Sequence, residues 1–227
     1  MNTPFSLARL HAIKLLGAAT LAGGLIAGTP AQATLVLNTG LVGGSGDVDN
    51  VVFAPCGLDD MSGMTVQGCL NSSHSTLVNF TGQETLHTNE GGGQARIEAA
   101  DGAFQYVQIA LDDPTLGFSK LQFNLDAIGD GTATFQAVDQ FGNVFNFGSF
   151  ALDATGQNFF TMNSADSQVA VSFTLLSTVP IQDITDLQQV RLGPTEVTTQ
   201  IPEPATLTLL GVGLIGLGFA VRRRGIL

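Results

Sequence analysis

An alternation of apolar and polar residues at every second position sets the narrowest limits on the fold. In the run from Leu121 to Leu125 the odd-numbered residues are apolar and the even-numbered ones are polar. Runs 133–137 and 169–175 also carry apolar residues at every second position. Because a period of two places successive side chains on opposite faces of an extended chain, each run is predicted to be a half-buried strand.

Turn-forming residues separate these runs at short intervals. Glycine, aspartate and asparagine are concentrated at 129–131, 140–143 and 155–158, and no convincing amphipathic helix lies between them. The pattern predicts an all-β domain over 34–195, folded as an antiparallel β-sandwich or jelly roll. Its glycine-rich part, 34–101, is predicted to be looser. The predicted core is rich in phenylalanine, with candidates Phe118, Phe123, Phe135, Phe147, Phe150, Phe160 and Phe173.

The N-terminal segment has the three parts of a secretory signal. Arg9 and Lys14 are basic, residues 15–26 are uncharged and apolar, and Ala31 and Ala33 form a small-x-small pattern. We therefore predict a signal peptide over 1–33, cleaved before Thr34. This predicts passage through the Sec export machinery and processing by signal peptidase.

The charge of the exported part excludes one class of partner. Between residues 34 and 200 three basic residues oppose eighteen acidic ones, a formal charge of −15. Such a surface repels phosphate backbones, so no nucleic acid partner is expected. An acidic surface is better matched to cations or neutral polysaccharide as ligands. The alternative explanation for the charge is that it keeps a secreted domain soluble.

Two cysteines, Cys56 and Cys69, lie in the exported part. An oxidising compartment favours a disulfide between them. Zinc is a weaker alternative, because two thiols without a CxxC pair fall short of four ligands, although His74 is close in sequence.

The C-terminal segment combines three elements in order. A linker over 196–204 ends in Pro202, Glu203 and Pro204, an uncharged run covers 205–221, and arginines occupy 222–224. The run is just long enough for a transmembrane helix. Arginines after it are costly to translocate, so the tail 222–227 is predicted to stay cytoplasmic and the domain to lie outside.

This arrangement resembles the PEP-CTERM sorting signal of exopolysaccharide-making bacteria, a motif also catalogued as ice-binding protein C-terminal. The residues that carry the resemblance are Pro202, Glu203, Pro204, Arg222, Arg223 and Arg224. The resemblance implies an exosortase-type sorting enzyme as partner. It also implies a transient inner-membrane anchor, followed by release to the cell surface or the extracellular space.

Segments of the domain also resemble ectodomains that accompany this tail. Residues 117–125, 156–160 and 189–194 carry that loose likeness. Such ectodomains are generally similar to carbohydrate-binding or galactose-binding-like sandwiches, so the resemblance implies contact with polysaccharide without assigning residues to it.

Aspartates offer the main candidate for a cofactor site. Oxygen ligands for calcium could come from two groups of residues, and capping of turns is the alternative role for the same carboxylates. The candidate residues are Asp47, Asp49, Asp126, Asp130 and Asp139. No other cofactor is predicted.

No catalytic constellation is present in the sequence. His74 and His87 lie outside any HExxH pattern, and there is no GxSxG nucleophile elbow. The sequence therefore predicts a non-enzymatic envelope or extracellular-matrix protein in contact with exopolysaccharide. The alternatives are a secreted hydrolase of matrix polymers and a structural surface protein ordered by calcium.

Overall fold

The computed structural model describes residues 34–89, 95–155, 157–165, 168–182 and 187–197, with residues 211, 213 and 214. Twelve strands and one short 3-10 helix, Ala54–Cys56, lie within these ranges. The strands are β1 (Leu35–Thr39), β2 (Asp49–Val52), β3 (Ser62–Leu70), β4 (Ser73–Asn89), β5 (Arg96–Ala99), β6 (Ala103–Leu111), β7 (Leu116–Leu125), β8 (Gly131–Asp139), β9 (Val144–Leu152), β10 (Asn158–Ser164), β11 (Ala170–Gln182) and β12 (Leu187–Glu196).

All strand pairs are antiparallel, so the predicted all-β antiparallel class is confirmed. Eleven strands follow one another in a single sheet in the order β1-β10-β7-β12-β2-β3-β4-β6-β11-β8-β9, and β5 joins this sheet by pairing with β12 and β4. Ala170 of β11 also pairs with Phe118 of β7, which closes the path on itself. The structure thus differs from the predicted sandwich, because hydrogen bonds join all strands into one sheet instead of two.

The core contains a cluster of phenylalanine rings. The Phe123 ring lies 5.5 Å from that of Phe160 and 5.4 Å from that of Phe173, and Phe135 lies 4.8 Å from Phe160. Of the seven predicted core phenylalanines, five are buried, and Phe147 and Phe150 pack against the core from partly buried positions. Phe53, Phe80 and Phe104 are also buried, although the sequence patterns did not identify them.

Strand β7 is buried on both faces. Its apolar face meets the phenylalanine cluster, whereas its opposite face is covered by the loop between β1 and β2. The Lys120 ammonium donates to the carbonyl of Gly44 at 2.8 Å and pairs with the Asp47 carboxylate at 2.8 Å. Gln122 donates to the same Gly44 carbonyl at 3.0 Å. A buried cation needs such partners, so Lys120 holds this loop against the strand.

The part of the chain before residue 102 contains strands β1 to β5, including the 17-residue strand β4. The predicted disulfide is present: Cys56 in the 3-10 helix is bonded to Cys69 of β3, with the two Cα atoms 6.4 Å apart. The bond links a surface turn to a buried position, since Cys69 is fully buried. A disulfide that closes such a loop restricts the unfolded chain and thereby raises the free energy of unfolding by about 3 kcal/mol.

The predicted targeting segments fall largely outside the described residues. This applies to residues 1–33, to the motif at 202–204 and to the arginines at 222–224. Thr34, the predicted first residue after cleavage, directly precedes β1, and its carbonyl accepts a hydrogen bond from the Ala165 amide. In the part of the chain that the structure describes, no helix has the length and apolarity to cross a membrane.

The phenylalanine cluster should dominate stability. We expect Phe123→Ala to lower the free energy of unfolding by about 3–5 kcal/mol, because it removes a fully buried ring from contact with several others. Phe141→Ala, at a position 41% exposed, is the control and should change it by less than about 0.5 kcal/mol. Urea unfolding measures both, and equal effects would contradict the assignment of the core.

Candidate functional site

A row of uncharged polar side chains crosses six adjacent strands on the outer face of the sheet. Each member lies opposite the next in register, so all of them share one face. The members of this polar row, in spatial order, are Thr65, Thr81, Gln108, Thr174, Gln136 and Asn146. All six are partly or fully exposed, whereas flanking residues such as Phe80, Phe135 and Phe173 point into the core.

Side-chain hydrogen bonds run along the polar row. The Gln136 amide donates to the Asn146 side-chain oxygen at 2.9 Å, and the hydroxyls of Thr65 and Thr81 are 2.9 Å apart. These contacts hold amide and hydroxyl groups in defined positions on the surface. Unlike a charged surface, the row offers both donors and acceptors without net charge.

A groove of about 440 Å³ lies over strands β6, β11, β8 and β9, at one end of the polar row. Its polar lining comes from the row itself, through Thr174, Gln136 and Asn146, together with Thr134. Its apolar lining includes Tyr106, Phe147 and Leu176. Among the described residues that line it, none is acidic or basic.

The strand register explains this mixture of side chains. Leu176 of β11 lies opposite Tyr106 of β6 on one side and Thr134 of β8 on the other. Leu176 is 52% exposed, because the alternation that buries Phe173 and Leu175 turns Thr174 and Leu176 outward. The protein's sole tyrosine therefore lies beside an exposed leucine, next to the polar row.

This groove is not evident from the sequence alone. The signal that could have revealed it is the polar half of the same alternations, since Gln136 and Thr174 occupy the polar positions of runs 133–137 and 169–175. Only the register places those positions side by side. Chemically, the groove suits a neutral ligand that combines hydroxyl groups with apolar C–H faces, as sugars do.

Four of the five predicted calcium-binding aspartates hold loops and turns through hydrogen bonds or an ion pair. Asp47 pairs with Lys120, Asp49 accepts a hydrogen bond from the Ser72 amide at 2.7 Å, and Asp130 accepts one from the Ala154 amide at 3.0 Å. Within the described ranges, no three or more His, Cys, Asp or Glu residues, Asp126 included, form a group that could hold a metal ion. Asp47, Asp49 and Asp130 thus join loops to distant parts of the chain, and Asp139 has the turn-capping role that the sequence left open.

Asp139 organises the turn between β8 and β9. Its carboxylate accepts hydrogen bonds from the backbone amides of Phe141 at 2.9 Å and Asn143 at 2.7 Å, and from the Gln168 side chain at 2.7 Å. Burial by itself would raise the pKa of Asp139, but these donors favour the ionised form and hold the pKa below its ordinary value of 3.8.

A second cavity, of about 530 Å³, is lined by His87, Glu98 and Asp101, among others. Nearby, burial and the Asp101 charge raise the pKa of Glu84. His74 is exposed on β4, and it is not among the residues that line this cavity.

Comparison with known proteins identifies the C-terminal segment. The family described as the PEP-CTERM protein-sorting motif matches residues 200–224, which confirms the resemblance found in the sequence. The motif implies export, processing by an exosortase-type enzyme and sorting to the surface. No curated protein and no solved structure matches this chain.

The Asp139 turn generates a pH-dependent prediction. We expect Asp139→Asn to lower the free energy of unfolding by about 2–3 kcal/mol near neutral pH, because an amide cannot accept from all of the donors around it. Because the native pKa is depressed, this stabilisation is complete above about pH 5 and declines as pH falls through a value below 3.8. Urea unfolding from neutral to acidic pH should show the two proteins converging, and a constant difference would refute the assignment.

Proposed function

We propose that this protein is a non-enzymatic, carbohydrate-binding component of the envelope or extracellular matrix, and that its groove binds neutral exopolysaccharide. The observation that carries the proposal is the lining of the groove. Amide and hydroxyl groups of Gln136, Asn146 and Thr174 lie beside the apolar surfaces of Tyr106 and Leu176. This pairing matches a sugar, which presents hydroxyls at its rim and C–H groups on its faces.

Charge supports a neutral ligand over an acidic one. The segment 34–200 carries a formal charge of −15, so an acidic polysaccharide would be repelled at long range. The groove itself has no acidic or basic side chain among its described lining residues. A neutral glycan can therefore approach without the cost of removing charged groups from water.

Export of the domain is assigned to the C-terminal sorting motif. The sorting motif at 200–224 implies processing by an exosortase-type enzyme. The finer steps are part of the proposal: residues 205–221 anchor the chain in the inner membrane, the arginines at 222–224 stay cytoplasmic, and processing releases the domain. The Cys56–Cys69 disulfide is consistent with an oxidising compartment.

Hydrolysis of matrix polymers is the alternative function. The raised pKa of Glu84, which lies close to the Asp101 charge, is the feature of the described chain that most resembles a general acid.

The test is binding of the processed protein, recovered from the host, to the host's own exopolysaccharide in affinity electrophoresis. We expect Tyr106→Ala and Leu176→Ala each to weaken binding by about tenfold, because each removes an apolar surface from the groove.

The control is Val36→Ala, which changes an exposed apolar residue of β1 that does not line the groove. It should leave binding unchanged. If the unmodified protein fails to bind, or if all three variants bind equally well, the proposed function is wrong.

A further inference from the structure

We infer that the groove binds a single extended glycan that lies across the strands, with about one sugar unit over each of β6, β11, β8 and β9. The inference rests on the proposed function and adds the direction and the length of the ligand. Its basis is the part of the polar row that belongs to these four strands: Gln108, Thr174, Gln136 and Asn146.

The spacing of this part of the row is set by the sheet. Neighbouring strands lie about 4.8 Å apart, so four members in register repeat at that interval over about 14 Å. One pyranose unit of an extended β-linked glycan has a similar length. The hydrogen-bonding groups of the protein and the hydroxyl groups of the ligand therefore have similar repeat distances, so that they meet at each strand.

The neighbouring outward positions carry fewer polar groups in register than the row does. On one side of the row lie Ala110 of β6, Ser172 of β11 and Val138 of β8, and on the other side lie Tyr106, Leu176 and Thr134. Strand β8 alone presents Thr132, Thr134 and Gln136 on this face, so a glycan along that strand would also meet polar groups. The row, in contrast, brings a polar group from each of the four strands into one line, and this favours a glycan that crosses the strands.

Tyr106 and Leu176 form an apolar wall along that second side. They occupy β6 and β11, the two strands at the start of the four-strand segment. A sugar that packs its C–H face on this wall can direct its hydroxyls toward Gln108 and Thr174, which are 3.4 Å apart and hydrogen-bonded to each other. Further units then extend toward Gln136 and Asn146.

The test uses fragments of the host's exopolysaccharide, made by partial acid hydrolysis and sorted by length from single sugars to octamers. Isothermal titration of the processed protein should show affinity rising by about tenfold or more between one and four units and then levelling off. Gln136→Ala should reduce the gain from the longer fragments, because it removes the polar group of a central strand.

Thr65→Ala is the matched control, because Thr65 belongs to the polar row but does not line the groove. It should not alter the dependence on length. If the intact polysaccharide binds but affinity does not depend on fragment length, or Thr65→Ala acts like Gln136→Ala, the inference fails and the proposed function stands. If the intact polysaccharide does not bind, the proposed function fails and the inference fails with it.

Discussion

The structure depends on one strand, β7, that is buried on both of its faces. Its apolar side chains meet the phenylalanine cluster, and its opposite face buries the Lys120 ammonium. Such a charge costs several kcal/mol to remove from water unless it is paired, and the Gly43 and Gly44 carbonyls with the Asp47 carboxylate supply the pairing. The loop between β1 and β2 is thereby fixed over the strand. Because β7 also pairs with β10, β12 and β11, its position determines where the sheet closes.

The shape of the groove depends on this closure of the sheet. Strand β11 pairs with β7 at one residue and lies between β6 and β8 over most of its length. Its outward side chains Thr174 and Leu176 therefore lie in register with side chains of both neighbouring strands. At the edge of the sheet, β9 is held by β8 and by the Asp139 turn. Side chains that hydrogen-bond to one another before a ligand arrives, as Gln136 does with Asn146, lose less conformational entropy on binding, as the proposed recognition of a polymer requires.

Local patterns predicted what depends on local chemistry. The alternation at 121–125 and 133–137 identified β7 and β8, the glycine and aspartate positions marked the turns around them, and two cysteines in an exported chain predicted the disulfide. The individual strands β1 to β5 were not identified because β1, β2 and β5 are only four or five residues long, and β3 and β4 do not keep a strict alternation of apolar and polar residues over their length. Closure was missed because it rests on the single pair Ala170 and Phe118, 52 positions apart in the sequence, which no short pattern encodes. The groove also depends on pairing between strands that are far apart in the sequence. The sequence therefore shows its residues but not that they lie together.

Native-state hydrogen exchange of the processed protein tests the central role of β7 most directly. We expect amides of Leu121–Leu125 to exchange only through global unfolding, because both faces of that segment are buried. Amides of the edge strand β9, Val144–Leu152, should exchange through smaller openings, since most of its residues are exposed or only partly buried. Exchange from Leu121–Leu125 at the same free energy of opening as from β9 would show that the structure does not depend on β7.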